Sequence, residues 1–189
     1  GTEYGIPSRT INHILITKDE WIISTVDGIF FTDPIKKTSM QLTTLEGLPH
    51  NNVEQTWRAP DGKLWMAADN SPLAVLERDS ITLFKDIPGF KSFSIKSITG
   101  NSKGLIYFGT EGDGVFSYDG KKFSNLNVGS GLLSNYVYGV QYNEKDQLLI
   151  CTHKNGVSMH SYVSGRTKLF GFSGTTRHWN CFAFLFCFI

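Results

Sequence analysis

A period of 42 residues runs through this chain, and nothing else in it constrains the fold as tightly. The stretch from Gly47 to Ala68 reads GLPHNNVEQTWRAPDGKLWMAA: a turn, a short apolar run, an Asp-Gly turn and a second apolar run. One period later, Gly89, Ile95, Gly104, Tyr107, Gly109 and Thr110 fill the slots of Gly47, Val53, Gly62, Trp65, Ala67 and Ala68. Another step reaches Gly131, Val137, Leu149, Cys151 and Thr152, and a step back reaches Gly5 and Ile11. A period held over successive steps marks a repeat architecture, in which each unit buries its apolar face only against its neighbours.

Within each unit the punctuation predicts four short strands. First strands are expected at 11–16, 53–57, 95–98 and 137–142, and more apolar second strands at 21–25, 64–68, 105–110 and 148–152. Third strands start at Ile29, Leu73, Val115 and Val157; fourth strands end near Leu42, Phe84, Leu126 and Phe170. Pro60-Asp61-Gly62-Lys63 and Asp119-Gly120 are hairpin signals, because Asp and Gly both tolerate positive φ. No stretch carries a 3.6-residue apolar pattern with caps, which argues against helical solenoids. The expected fold is therefore all-β: a β-propeller of four-stranded antiparallel blades, about 42 residues each. The blades span 5–46, 47–88, 89–130 and 131–172, within a repeat region of 1–172. Ser24, Ala67, Gly109 and Cys151 form a column of small residues two positions after Ile22, Trp65, Tyr107 and Leu149. Bulky-then-small along the second strand suits a tapering wedge, and makes Cys151 a packing residue.

Composition removes several function classes. The net charge of +1, with no basic cluster, speaks against nucleic acid. Three Cys without a CxxC pair and five scattered His give neither a metal site nor a disulfide framework, and no cofactor is expected. The longest apolar run, Phe182–Ile189, is far shorter than a membrane helix requires. The opening GTEYGIP carries neither an initiator Met nor a signal segment and reads as a piece of a longer or processed protein. Residues 173–189 read either as the start of a fifth blade, with Trp179 and Phe182 one period after Val137 and Val140, or as a non-native tail.

No Gly-x-Ser-x-Gly elbow or Gly-rich phosphate cradle is present, and His13 and Asp19 are close only in sequence. A catalytic constellation is thus not expected. In a propeller the turn before the first strand and the turn after the second share a face. That face gathers Arg9, His50, Asn51, Asn52, Asn135 and Tyr136 from the opening turns. From the later turns come Asp27, Asp69, Asn70, Glu111, Asp113, His153, Lys154 and Asn155. Hydrogen-bonding groups beside aromatic rings suit a polar ligand such as a sugar; equally, Asn, Asp and Gly are what turns need. Trp57, at the end of an inner strand, joins the candidates, whereas Trp21 and Trp65 read as packing residues.

GLPHNNV, DGKLWMA and the Gly-led strand of EGDGVFSYDGKKF resemble the two-component regulator propeller repeat. GLLSNYVYGVQY with QLLICTHKNGVSM resembles the same unit, so the likeness covers Gly5 to about Phe172. It implies an extracytoplasmic, periplasmic sensor region of a bacterial hybrid histidine kinase, often one controlling polysaccharide use. Blades of that family close seven-membered rings, so four would be an incomplete arc. The remaining blades, a β-sandwich, a membrane span and kinase modules would lie elsewhere in a parent that could form a homodimer. The implied ligand is a small molecule or oligosaccharide. Streptogramin-lyase-like propellers carry related strands, which leaves a lyase or hydrolase with His153 or a rim carboxylate as base, and a protein-interaction scaffold, as alternatives. The second repeat departs from the pattern: Ala68-Asp69-Asn70-Ser71-Pro72 stands where a Thr and a Gly pair are usual, so its turn is expected to be unusual. Lys91 stands where Pro49 does.

Overall fold

The computed structural model describes residues 2–7, 10–92, 94–143, 147–153, 156–161 and 166–170. Four sheets of four strands follow one another, each a meander in chain order. The first comprises β1 (Ile11–Ile16), β2 (Trp21–Thr25), β3 (Gly28–Asp33) and β4 (Thr38–Leu42). The second has β5 (Val53–Arg58), β6 (Leu64–Ala68), β7 (Leu73–Glu77) and β8 (Ser80–Phe84). The third has β9 (Ile95–Gly100), β10 (Ile106–Thr110), β11 (Val115–Tyr118) and β12 (Phe123–Leu126). The fourth has β13 (Val137–Asn143), β14 (Gln147–Thr152), β15 (Gly156–Ser161) and β16 (Arg166–Phe170). Every predicted strand is present, with boundaries within two residues of expectation. The stretch 173–189 lies outside the described residues.

Two compact units divide the chain, one running to Ile87 with the first two sheets and one holding the last two. In the first unit, Ile22 and Ile29 of sheet 1 share a core with Val53, Leu64, Met66 and Ala74 of sheet 2. In the second, Tyr107 and Val115 of sheet 3 share one with Val137, Val140, Leu148 and Ile150 of sheet 4. Second strands are the most buried: Leu64–Ala68 and Ile106–Thr110 have no exposed residue. Their apolar runs go with this burial of successive residues, which point to alternate faces of the strand.

The small-residue column is set by these neighbours. A Cβ added at Gly109 would lie 2.6 Å from Val137 Cγ1, and Ser24 Oγ lies 3.4 Å from Thr56 Oγ1. In both cases the second strand of one blade meets the first strand of the next. Cys151 is buried, as a packing residue should be.

Three local features differ from expectation or lie beyond it. In the Asp-Gly turns only glycine takes positive φ: 87° at Gly62 and 91° at Gly120. The aspartates instead accept backbone hydrogen bonds, Asp61 Oδ1 from Lys63 N at 3.1 Å and Asp119 Oδ1 from Lys121 and Lys122 N at 2.9 Å. Short 3-10 turns occur at Thr2–Tyr4, Thr44–Glu46 and Val128–Ser130; three residues are too few to leave a periodic trace in sequence. Lastly, the first strand is bulged where it leaves its opening turn. Ile11 and His13 pair with the successive residues Thr25 and Ser24, Val53 and Gln55 with Ala68 and Ala67, and Val137 and Gly139 with Thr152 and Cys151. The extra residues are Asn12, Glu54 and Tyr138. A bulge twists the strand and re-aims the inserted side chain.

The turn after the second strand has the anticipated departure in blade 2. In blades 1 and 3 a threonine spans it: Thr25 Oγ1 donates to Gly28 O at 2.9 Å and Thr110 Oγ1 to Gly114 O at 2.8 Å. Ala68 has no hydroxyl, and the turn is held instead by Asn70 at φ 45° and by Ser71 Oγ donating to Asp69 O at 2.7 Å.

Candidate functional site

The opening turn and the turn after the second strand do meet at one end of the blade. Asp69 N donates to Asn52 O and His153 N to Tyr136 O, both at 2.8 Å. The predicted face therefore exists within blades 2 and 4, and its members divide by what their side chains do.

Several are committed to the scaffold. Asn51 Oδ1 accepts from Thr44 N at 2.8 Å, and two periods on Asn135 Oδ1 accepts from Val128 N at 2.9 Å. Each asparagine satisfies an otherwise orphaned amide at the start of a 3-10 turn. The same turns carry capping boxes, Thr43 with Glu46 and Asn127 with Ser130, and end in Gly47 and Gly131 in the left-handed region. Hydrogen bonds from Thr43 hold the Glu46 carboxyl below the usual carboxylate range. Asp113 Oδ2 accepts from Lys91 N and Ser92 N, both at 2.7 Å, fastening the opening turn of blade 3.

Trp57 does not belong to this face. It pairs with Trp65 beside the β5–β6 hairpin, four residues along the strand from Val53, or roughly 13 Å at ~3.3 Å per residue. Its position at the end of an inner strand was read correctly, but that is the hairpin end. Arg9 and Lys154 lie outside the described residues, as does Asn155.

In the first unit His50 is exposed and its Nδ1 accepts from Asn52 N at 3.0 Å. Asn52 Oδ1 accepts from Asn12 Nδ2 at 2.9 Å, and Asn12 Nδ2 also reaches Val53 O at 2.9 Å. Asp69 Oδ1 accepts from the exposed Asn70 at 3.1 Å.

In the second unit the face is aromatic and charged. Lys96 Nζ lies 3.6 Å from Glu111 Oε2. Glu111 forms an antiparallel bridge with Tyr136, whose ring is 6.4 Å from that of His153. Tyr138 meets His153 edge-on at 5.3 Å. Tyr136 is half exposed, at 51%.

The sequence reading missed the bulge residues, and the period that found the strands also locates them. Asn12, Glu54, Lys96 and Tyr138 stand 42 residues apart, as do Asp27, Asp69, Glu111 and His153. Each blade thus carries one residue at this first-strand position, bulged in blades 1, 2 and 4, and one at the turn position. Their chemistry changes from amide and carboxylate, to two carboxylates, to ammonium and carboxylate, to phenol and imidazole. Neighbouring positions repeat because the blade requires them; these do not.

Two open depressions lie elsewhere, along the outer strands, one lined by Asp19, Glu20, Thr38 and Met40 and one by Glu77, Arg78 and Ser80. Among the described residues no three His, Cys, Asp or Glu side chains are grouped to hold a metal ion. No helix among them is long and apolar enough to cross a membrane.

No family model matches the chain, and no curated protein matches it. Solved structures do. The extracellular domains of two hybrid two-component systems from B. thetaiotaomicron superpose with TM-scores of 0.74 and 0.72 at 19% and 12% identity. They match 90% and 85% of this chain, which spans only 23% and 24% of theirs. A streptogramin B lyase superposes at 0.69 with 17% identity over 90% of this chain and 57% of its own. The repeated four-stranded antiparallel sheets are thus propeller blades. Their structural likeness extends to the extracellular propellers of Bacteroides two-component systems.

Proposed function

We propose that this chain is part of the ligand-sensing propeller of a membrane-bound two-component regulator. In this reading it lies outside the cytoplasm, recognises a glycan without transforming it, and signals to a kinase elsewhere in the polypeptide. The observation that carries the reading is the set of paired rim positions whose chemistry varies on an otherwise repeated scaffold. In the second unit these pairs put two tyrosines around His153 beside a lysine–glutamate pair. Aromatic faces stack on the apolar faces of a sugar ring while charged and amide groups bond its hydroxyls. Likeness to extracellular domains of two-component systems supports the sensing role. Binding must favour one arrangement of the receptor over another, because a ligand shifts an equilibrium only through differential affinity.

A second reading, a propeller-type lyase, draws on the likeness to streptogramin B lyase and on His153 lying at the same end. Calorimetric titration of the intact protein with an oligosaccharide panel, followed by recovery of the ligand, separates the two. Saturable heat with the ligand recovered unchanged is the expected result. Conversion to product that stops in His153→Ala would favour the lyase, and no saturable heat with any oligosaccharide would overturn the glycan reading.

A further inference from the structure

We propose that Glu111 sets the class of glycan that this face accepts, admitting uncharged sugars and turning away those that carry a carboxylate or sulfate. The inference rests on the glycan-sensing reading of the second unit's rim and adds to it the residue that selects among glycans.

Backbone hydrogen bonds fix where Glu111 stands. It follows the last residue of β10 and forms an antiparallel bridge with Tyr136, in the opening turn of the next blade. Beside that bridge, Asn135 O accepts from Gly112 N at 3.1 Å and from Gly114 N at 2.9 Å. Tyr136 O accepts from His153 N at 2.8 Å. The opening turn of blade 4 is thus tied both to the turn of blade 3 and to the end of β14. Residues opposite one another in an antiparallel pair project to the same side, with Cβ atoms about 5 Å apart. The carboxylate and the phenol ring therefore rise side by side, Tyr136 exposed by 51% and the Glu111 side chain by 42%. A sugar stacked on this ring turns the hydroxyls of its edge toward that carboxylate.

Hydrogen-bond polarity then selects. An ionised carboxylate only accepts, at about four lone-pair positions on its two oxygens. Lys96 Nζ, 3.6 Å from Oε2, meets one of those oxygens, so the group has acceptor capacity beyond the ion pair. A sugar hydroxyl can donate to it. A uronate or sulfate oxygen has no proton to give, and it would bring two like charges together. Lys96 does not cancel that repulsion at the surface: its side chain is exposed by only 24%, so a ligand meets the carboxylate first. Stacking alone could not discriminate, because a neutral sugar and its uronate offer the same apolar ring face. Nor does the blade itself require glutamate here, since the slot holds Asp27, Asp69, Glu111 and His153 in turn. Specific sites commonly combine an attractive contact with a repulsive one in this way.

Calorimetry on the intact protein tests this with neutral oligosaccharides of glucose, galactose and mannose, each beside its counterpart oxidised to the uronic acid. The neutral member of a binding pair should bind at least about tenfold more tightly than its uronate. Glu111→Gln keeps the length and the hydrogen bonding but removes the charge. It should narrow the ratio to within about threefold, chiefly by tightening the uronate, and Glu111→Lys should reverse the order. A merely structural role would change both affinities together and leave their ratio in place. If the variants fail to fold, the wild type still decides, because added sodium chloride should shrink its ratio. A ratio indifferent both to salt and to Glu111→Gln would overturn the role of Glu111. So would a uronate that binds the wild type as tightly as its neutral counterpart, and either result would leave the glycan reading standing. Saturable heat with neither member of any pair would overturn both.

Discussion

A Cβ built on Gly109 stands 2.6 Å from Val137 Cγ1, so this second-strand position is glycine because the next blade already fills the space. Gly109 has no positive φ to preserve, and in an ordinary strand alanine would be the better residue. Here sterics decide the sign. Valine is stiff at χ1 and cannot swing aside, so Gly109→Ala should destabilise by about 1–3 kcal/mol. An unchanged or raised urea midpoint would contradict the packing described.

Turn glycines should differ among themselves. Gly112 and Gly114 both have positive φ, at 121° and 86°. Beyond Gly112 the space is open, but a Cβ at Gly114 would meet Leu126 O at 2.4 Å. Gly112→Ala should cost about 1–2 kcal/mol for the left-handed backbone alone, and Gly114→Ala clearly more. Equal losses in chemical denaturation would count against the close strand-to-turn approach.

The asparagines and the tyrosines should separate stability from binding. Asn51→Ala and Asn135→Ala each remove a side chain that satisfies a turn amide, and should cost about 1 kcal/mol of stability. Ligand affinity, compared where both proteins are folded, should stay within twofold. Tyr136→Ala, at a half-exposed site, should leave the melting temperature within a few degrees and weaken binding.

That division shows what was legible in the sequence. Gly47, Val53, Gly62 and their copies announced the blades because backbone geometry demands the same residue type at each repeat. The shared face was legible too, since strand direction places Asn52 and Asp69 together. Which asparagines cap turns was not, because Asn51 finds its partner, Thr44, in a 3-10 turn too short to predict. Tyr138 was overlooked because a bulge, set by hydrogen-bond register, re-aims a residue that strict alternation would assign to the strand; Lys96, one period before it, declares its place only through its pairing with Glu111. Trp57 was placed at the wrong end because its distance from the turn was not counted along the strand.

Acid should weaken the first unit through His13. Burial holds this imidazole below the usual histidine range, with Thr56 Oγ1 3.5 Å from Nδ1. A depressed folded pKa means that stability is fully present above the unfolded value, about 6.5, and is lost as pH falls through the folded one. Urea midpoints should therefore fall between pH 7 and pH 5 less steeply in His13→Gln than in the wild type. Parallel slopes would show that His13 is not the titrating group. Burial lowers His160 as well, so part of the slope should persist.

The most direct measurement is affinity for an oligosaccharide at the varying rim positions. Calorimetry on the intact protein should show Tyr138→Ala and Lys96→Ala weakening binding by at least about tenfold, roughly the value of one lost stacking or charge-assisted contact. Ile35→Ala, on an exposed turn away from this face, should bind as the wild type does. Undiminished affinity in both rim variants, with the fold intact by circular dichroism, would contradict the assignment of this face as the sensing site.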